Sequence, residues 1–92
     1  MIKSFADAAT ARFWESGESS KGWPKKATRR KLAMLEQASE LNDLASPPGN
    51  RLEKLKGDRQ GQYSIRINDQ YRLCFNWRDG DAENVAVSKH YE

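Results

Sequence analysis

Gln62-Tyr63-Ser64-Ile65-Arg66-Ile67, then Asn68-Asp69-Gln70, then Tyr71-Arg72-Leu73-Cys74-Phe75-Asn76-Trp77 is the stretch whose reading decides the fold. Tyr63, Ile65 and Ile67 alternate with polar residues, and so do Tyr71, Leu73, Phe75 and Trp77, which is the period of a half-buried strand. Both apolar sets occupy odd positions. For them to share one face of a hairpin, the loop must hold an odd number of residues, so Asn68-Asp69-Gln70 is the turn. Ile65 then lies opposite Leu73 and Tyr63 opposite Phe75, while the other face sets Arg66 opposite Arg72 and Ser64 opposite Cys74. Two arginines directly across a ladder cost about 0.2–1 kcal/mol. Two readings of that pair follow: an anion sits between the guanidiniums, or they splay apart toward Asp58 or Glu53.

Outward from the hairpin, the segment 51–78 carries Arg51, Lys54, Lys56, Arg59, Arg66, Arg72 and Arg78 against Glu53, Asp58 and Asp69. A sheet face with that excess suits a polyanion, RNA first among them. Residues 21–31 form a second basic block with no acid, and residues 79–92 are mainly acidic. Solvated helix faces also give such blocks.

The whole chain, 92 residues with 37% hydrophobic and 32% charged side chains, has the size and balance of one small domain, 1–92. No apolar run reaches the roughly 18–20 residues of a membrane span, and no signal peptide is recognisable. Cys74 is the sole cysteine, so neither an internal disulfide nor a cysteine zinc site is expected. These features point to the cytoplasm.

Met1 to Phe5 reads as a short first strand. Asp7 is placed to cap a helix through Ser16, the Gly/Ser-rich 17–22 reads as a loop, and Pro24 suits the first turn of a second helix. Leu32, Met34, Leu35, Ala38 and Leu41 recur at three- and four-residue spacing, predicting a helix from about Lys25 to Leu44 whose apolar stripe lies on the sheet. Ser46-Pro47-Pro48-Gly49-Asn50 ends it. A strand is expected over Arg51–Leu55, and a last one from Asn84 to Tyr91 after an Asp79-Gly80 turn. The predicted order is β-α-α-β-β-β-β, an α+β fold. Trp14 and Trp77 read as core, and Trp23 beside Pro24 as either packing under the linker or an exposed contact.

Lys54-Leu55-Lys56-Gly57-Asp58-Arg59, Ser64-Ile65-Arg66-Ile67-Asn68 and Gln70-Tyr71-Arg72-Leu73-Cys74-Phe75 resemble the HigB-like toxins of the RelE/ParE toxin–antitoxin superfamily. Arg30-Lys31-Leu32-Ala33-Met34-Leu35, Pro47-Pro48-Gly49-Asn50-Arg51-Leu52 and the opening Ile2-Lys3-Ser4-Phe5 extend the likeness over nearly the whole chain. The resemblance implies a RelE-like fold, two N-terminal helices packed on a twisted antiparallel sheet. It implies a type II toxin that cuts mRNA in the ribosomal A site without a metal or other cofactor, giving a cyclic phosphate and a free 5′-hydroxyl. The implied partners are the 30S A site, mRNA and a helix-turn-helix, HigA-like antitoxin, through which alone DNA would be contacted. Within the superfamily, two other readings are a gyrase-poisoning, protein-binding toxin of ParE type and a degenerate member that binds RNA without cutting.

Carried over residue by residue, Arg72 matches the arginine that holds the scissile phosphate, and Lys56 a loop lysine with a related role. Arg51, Lys54, Arg59 and Arg66 would then bind RNA backbone. Relatives commonly finish with Asp-Tyr-His, whereas this chain has Lys89-His90-Tyr91-Glu92, and some carry a histidine where Glu53 stands. By position alone His90 is an exposed histidine near a terminus. The resemblance makes it an acid or base, for which an imidazole of pKa about 6.5 is suited. Tyr91 is read either as stacking on a base or as an edge aromatic, and Glu53 either as a base or as a surface ion pair. Ser64 and Cys74 share the face of Arg72 but have no base at nucleophile spacing.

Overall fold

The computed structural model describes residues 1–19, 21–59 and 61–89. Two helices, α1 (Ala8–Ser16) and α2 (Lys25–Gln37), precede four strands: β1 (Glu53–Lys54), β2 (Gln62–Arg66), β3 (Tyr71–Arg78) and β4 (Asp81–Lys89). The strands form one antiparallel sheet in the order β1-β2-β3-β4. The α+β architecture and the hairpin register are as expected: Tyr63 pairs with Phe75, Ile65 with Leu73, and Arg66 with Arg72. Asn68 makes the turn, its Oδ1 accepting the N–H groups of Gln70 (2.9 Å) and Tyr71 (2.8 Å). Such an Asx interaction stands in for a backbone turn bond.

The helix layer and one sheet face enclose the core. Phe13 from α1 and Leu32 and Leu35 from α2 meet Ile65, Leu73, Phe75 and Val85, all at most 1% exposed. Their burial, at about 1.5–3 kcal/mol per large side chain, is the main stabilising term. Asp7 caps α1, accepting Thr10 N–H at 2.7 Å. Gly17 closes it in the left-handed region (φ 76°), its N–H donating to the Phe13 carbonyl. A side chain there would also collide with the Arg29 guanidinium, which lies over Gly17 and beside the Phe13 ring.

Four boundaries differ from expectation, one of them the start of the last strand, which lies at Asp81 rather than Asn84 because Arg78 pairs with Asp81 directly across the tight turn. The second helix stops at Gln37, because Ala38 turns extended (ψ 133°) and the Asp43 carboxylate accepts the N–H groups of Ser39 and Glu40, both at 3.0 Å. That capping box starts a separate 3-10 turn, Leu41–Ala45. Of the stripe, Ala38 is buried and Leu41 beyond the break is half-buried against the core; Leu44 is buried as well. The strand expected over Arg51–Leu55 is reduced to Glu53–Lys54, because Arg51 is left-handed (φ 46°) and cannot pair. The N-terminal segment makes only isolated parallel bridges with β4, Ile2 to Ala82 and Phe5 to Val85. Between these, the register slips by one residue at Asn84 (φ 52°), the signature of a β-bulge.

Trp14 and Trp77 are half-buried against the core, as read from sequence. Trp23 is half-buried too, its ring edge-on to Phe13 at 5.9 Å, so it packs on the core rather than standing exposed. No helix is long and apolar enough to cross a membrane among the described residues.

Candidate active site

The face opposite the helices carries the basic residues. Strand alternation sends Ser64, Arg66, Arg72 and Cys74 to that side, and β1 adds Glu53, which pairs with Ser64. At its centre lies a small cavity of about 160 Å³, lined by Glu53, Lys56, Ser64, Arg72, Ser88 and Lys89 among others.

Arg72 occupies the floor and is only 8% exposed. Its Nε donates to Ser64 Oγ at 2.8 Å, and its Nη2 donates to the Arg51 carbonyl at 2.9 Å. Nη1 lies 3.7 Å from Glu53 Oε1. That separation exceeds a hydrogen bond, and the Glu53 side chain is 54% exposed. The buried guanidinium is therefore held by two neutral acceptors and weakly countered by one solvated carboxylate. Lys56 and Lys89 also line it, so among the described residues the cavity is lined by three cationic side chains and one carboxylate. Low-dielectric surroundings strengthen its attraction for an anion. The charge of such a cavity suits a small anion, and Glu53 is the carboxylate beside Arg72.

The like-charged pair of the hairpin is resolved by division. Arg66 turns away and ion-pairs with Asp69 three residues on. Arg72 is drawn inward by Ser64 instead. The structure thus has the arginines apart, with Arg66 taking Asp69 and Arg72 the one that has Glu53 beside it.

The structure brings Arg72, Lys56 and Glu53 together in one cavity. Among the described side chains, it does not do so for Arg51, Lys54 or Arg66. Arg51 contributes its carbonyl while its side chain is exposed. Lys54 pairs with Tyr63, the opposite face parity from Glu53. Arg66 lies at the hairpin end, where its charge, with burial and Arg30, pulls the Lys31 ammonium below its usual range. Burial is the first of those causes. Lys31 also donates to Oδ1 of Asn50. Arg59 ends a short 3-10 turn, Gly57–Arg59, and its side chain lies outside what is described. His90 and Tyr91 lie outside the described residues.

Three contributors escaped the sequence reading, Lys89 in the cavity lining among them. Ser88 pairs with Arg72 in the ladder, and a correct β4 register would have found it. Asn50 is fully buried, its Nδ2 donating to the carbonyls of Leu44 (3.1 Å) and Ser46 (3.4 Å). It fixes the backbone that presents the Arg51 carbonyl, and no periodicity announces it. Among the described residues, no group of three or more His, Cys, Asp or Glu side chains is placed to hold a metal ion.

Known proteins resemble this chain over nearly its whole length. Residues 3–90 match the family model described as the RelE-like toxin of type II toxin–antitoxin system HigB. The chain is 41% identical to Toxin HigB-1 of Vibrio cholerae over 98% of both chains. It is 34% identical to Endoribonuclease HigB of Proteus vulgaris, over 89% of this chain and 90% of that one. In fold it is similar to YafQ from E. coli (TM-score 0.65, 9% identity, 98% and 94% of the two chains covered). It is also similar to a chain of the YoeB–YefM complex from Staphylococcus aureus (TM-score 0.62, 22% identity, 99% of each).

Proposed function

Because the chain belongs to the HigB-like family, RelE-like toxins of type II toxin–antitoxin systems, we propose that it is an endoribonuclease that cuts mRNA in the ribosomal A site. The observation that carries this reading is the buried Arg72, held by neutral acceptors with Nη1 directed toward Glu53 in a cavity that Lys56 and Lys89 also line. The name of the Proteus vulgaris relative adds support for the RNA-cleaving class.

The chemistry uses the RNA's own 2′-hydroxyl. A base removes its proton, the oxygen attacks the adjacent phosphorus, and the P–O5′ bond breaks as an acid protonates the leaving oxygen. The products are a 2′,3′-cyclic phosphate and a 5′-hydroxyl. Arg72 and Lys56 stabilise the additional negative charge of the phosphorane, a role worth about 10²–10³-fold for one well-placed donor. Glu53 is the described carboxylate within reach of the phosphate position and serves as the base in this scheme, with His90 and Tyr91 as the other candidates for proton transfer. The chain supplies these roles with side chains, and no step calls for a metal.

Arg51, Lys54 and Arg66 do not line the cavity; as RNA-backbone contacts they, with Arg59, would set affinity and its salt dependence. The cognate partner is an antitoxin, and the protein acts in the cytoplasm, where ribosomes are.

The test is end-mapping of mRNA on programmed ribosomes with wild type, Arg72→Ala and His90→Ala. Cuts within the A-site codon, abolished by Arg72→Ala, are the expected result. Growth arrest by a wild-type protein that leaves mRNA intact on ribosomes would refute the nuclease and favour a target such as gyrase.

A further inference from the structure

We propose that Ser64 is a positioning residue that commits Arg72 to end-on recognition of the scissile phosphate. The inference rests on the endoribonuclease reading. A guanidinium offers two edges with paired, parallel N–H groups: the Nε/Nη2 edge and the Nη1/Nη2 edge. The protein itself fills the first. Ser64 Oγ takes the Nε proton at 2.8 Å and the Arg51 carbonyl takes one Nη2 proton at 2.9 Å. What faces Glu53 is the opposite edge, with Nη1 3.7 Å from Oε1. A phosphate entering the cavity therefore meets Nη1 and the second Nη2 proton.

Three features make this a device for orientation rather than incidental satisfaction of a buried arginine. Ser64 is fully buried in the middle of β2, diagonal to Arg72 across the ladder, so its Oγ is fixed in place by the sheet. Arg51 is left-handed (φ 46°) and follows the fully buried Asn50, which is tied to the Leu44 and Ser46 carbonyls; its own carbonyl is thereby aimed inward. Both acceptors are neutral, so they set direction without cancelling charge. A structural arginine of this burial would be expected to face a tightly bound carboxylate, whereas Glu53 stands off and half-exposed. Arg66, on the same face, lacks such a cradle and pairs with Asp69.

The experiment compares wild type, Ser64→Ala and Ser64→Cys in the full chain. Cysteine keeps the bulk of the side chain but accepts hydrogen bonds weakly, so it separates the acceptor from the shape. Arginine-selective NMR reads exchange of the Arg72 Nε proton with water and its response to inorganic phosphate. Cleavage on programmed ribosomes gives kcat and KM. In wild type, phosphate shifts the Arg72 Nη resonances and leaves Nε unmoved. In both variants Nε exchange accelerates, and kcat falls about 10–100-fold with KM changed less than about twofold, the pattern of a displaced reacting group. Wild-type kcat in Ser64→Cys, or a change in KM alone, would overturn the proposal. So would a phosphate-induced shift centred on Nε in wild type. If wild type makes no cuts, the endoribonuclease reading fails, and the phosphate titration still decides which edge Arg72 offers.

Discussion

Replacing Arg72 with alanine separates catalysis from folding, because the two effects differ in size. On the catalytic side, an end-on phosphate contact is two charge-assisted hydrogen bonds, each about 1.5–3 kcal/mol. Losing both from the transition state removes roughly 3–6 kcal/mol, or about 10²–10⁴ in rate at 1.36 kcal/mol per decade. On the folding side, Arg72 gives up its bonds to Ser64 Oγ and the Arg51 carbonyl. That loss is offset by removal of a nearly buried charge and of the like-charged neighbour Arg66 in the register. A net destabilisation of about 1–2 kcal/mol remains, or roughly 5–15 °C in Tm for a domain of this size. The assay is single-turnover cleavage of an mRNA with one defined A-site codon, with toxin in excess, at a temperature where circular dichroism shows the variant folded. Cleavage within tenfold of wild type would refute the placement of Arg72 at the phosphate. A variant already unfolded at the assay temperature would refute the claim that Arg72 is mainly functional.

Glu53→Gln keeps the shape of the side chain but removes the base. Cleavage at neutral pH is expected to fall about 10²-fold or more with the melting temperature nearly unchanged, and a wild-type rate would move the base elsewhere. Asn50→Ala strands the Leu44 and Ser46 carbonyls and frees Lys31. A destabilisation of about 2–4 kcal/mol is expected in urea unfolding, together with reduced cleavage as the Arg51 carbonyl loses its anchor. The Lys31 ammonium is held below its ordinary 10.5 by burial, then by Arg30 and Arg66. Between its folded and unfolded pKa the unfolded chain binds more protons, so stability rises with pH there. The penalty is complete below the folded pKa and disappears as pH approaches 10.5. Wild-type stability relative to Lys31→Met should climb through that window, and a flat difference would contradict the burial of the ammonium.

Parity made the hairpin legible in the sequence. Once Tyr63, Ile65, Leu73 and Phe75 had to share a face, an odd loop was required and the register followed. The same reasoning placed Arg72 and Ser64 on one side. It left open which arginine would turn inward, because that depends on acceptors supplied from elsewhere: the Arg51 carbonyl comes from a left-handed residue with no local sequence signal. Asp69, three residues after Arg66, was a readable hint that Arg66 would be satisfied locally. The end of α2 was readable too, since Glu40 and Asp43 have the spacing of a reciprocal cap, but the apolar stripe runs through to Leu44 and masks it. The slip at Asn84 shifts β4 against β3, and nothing in a Val-Ala-Val alternation marks where a bulge falls.

The parallel bridges between the N-terminal segment and β4 bear on how the protein is made. Ile2 and Phe5 find their partners at Ala82 and Val85, so the first residues to leave the ribosome wait for nearly the whole chain before docking. Contacts of such long sequence separation form slowly, and a growing chain cannot form them until β4 has emerged. Ser88 and Lys89, which line the Arg72 cavity, belong to the same strand. A nascent chain thus carries Arg72 before it has a finished pocket around it. Completion of the pocket is therefore tied to the docking of β4, the last strand in chain order.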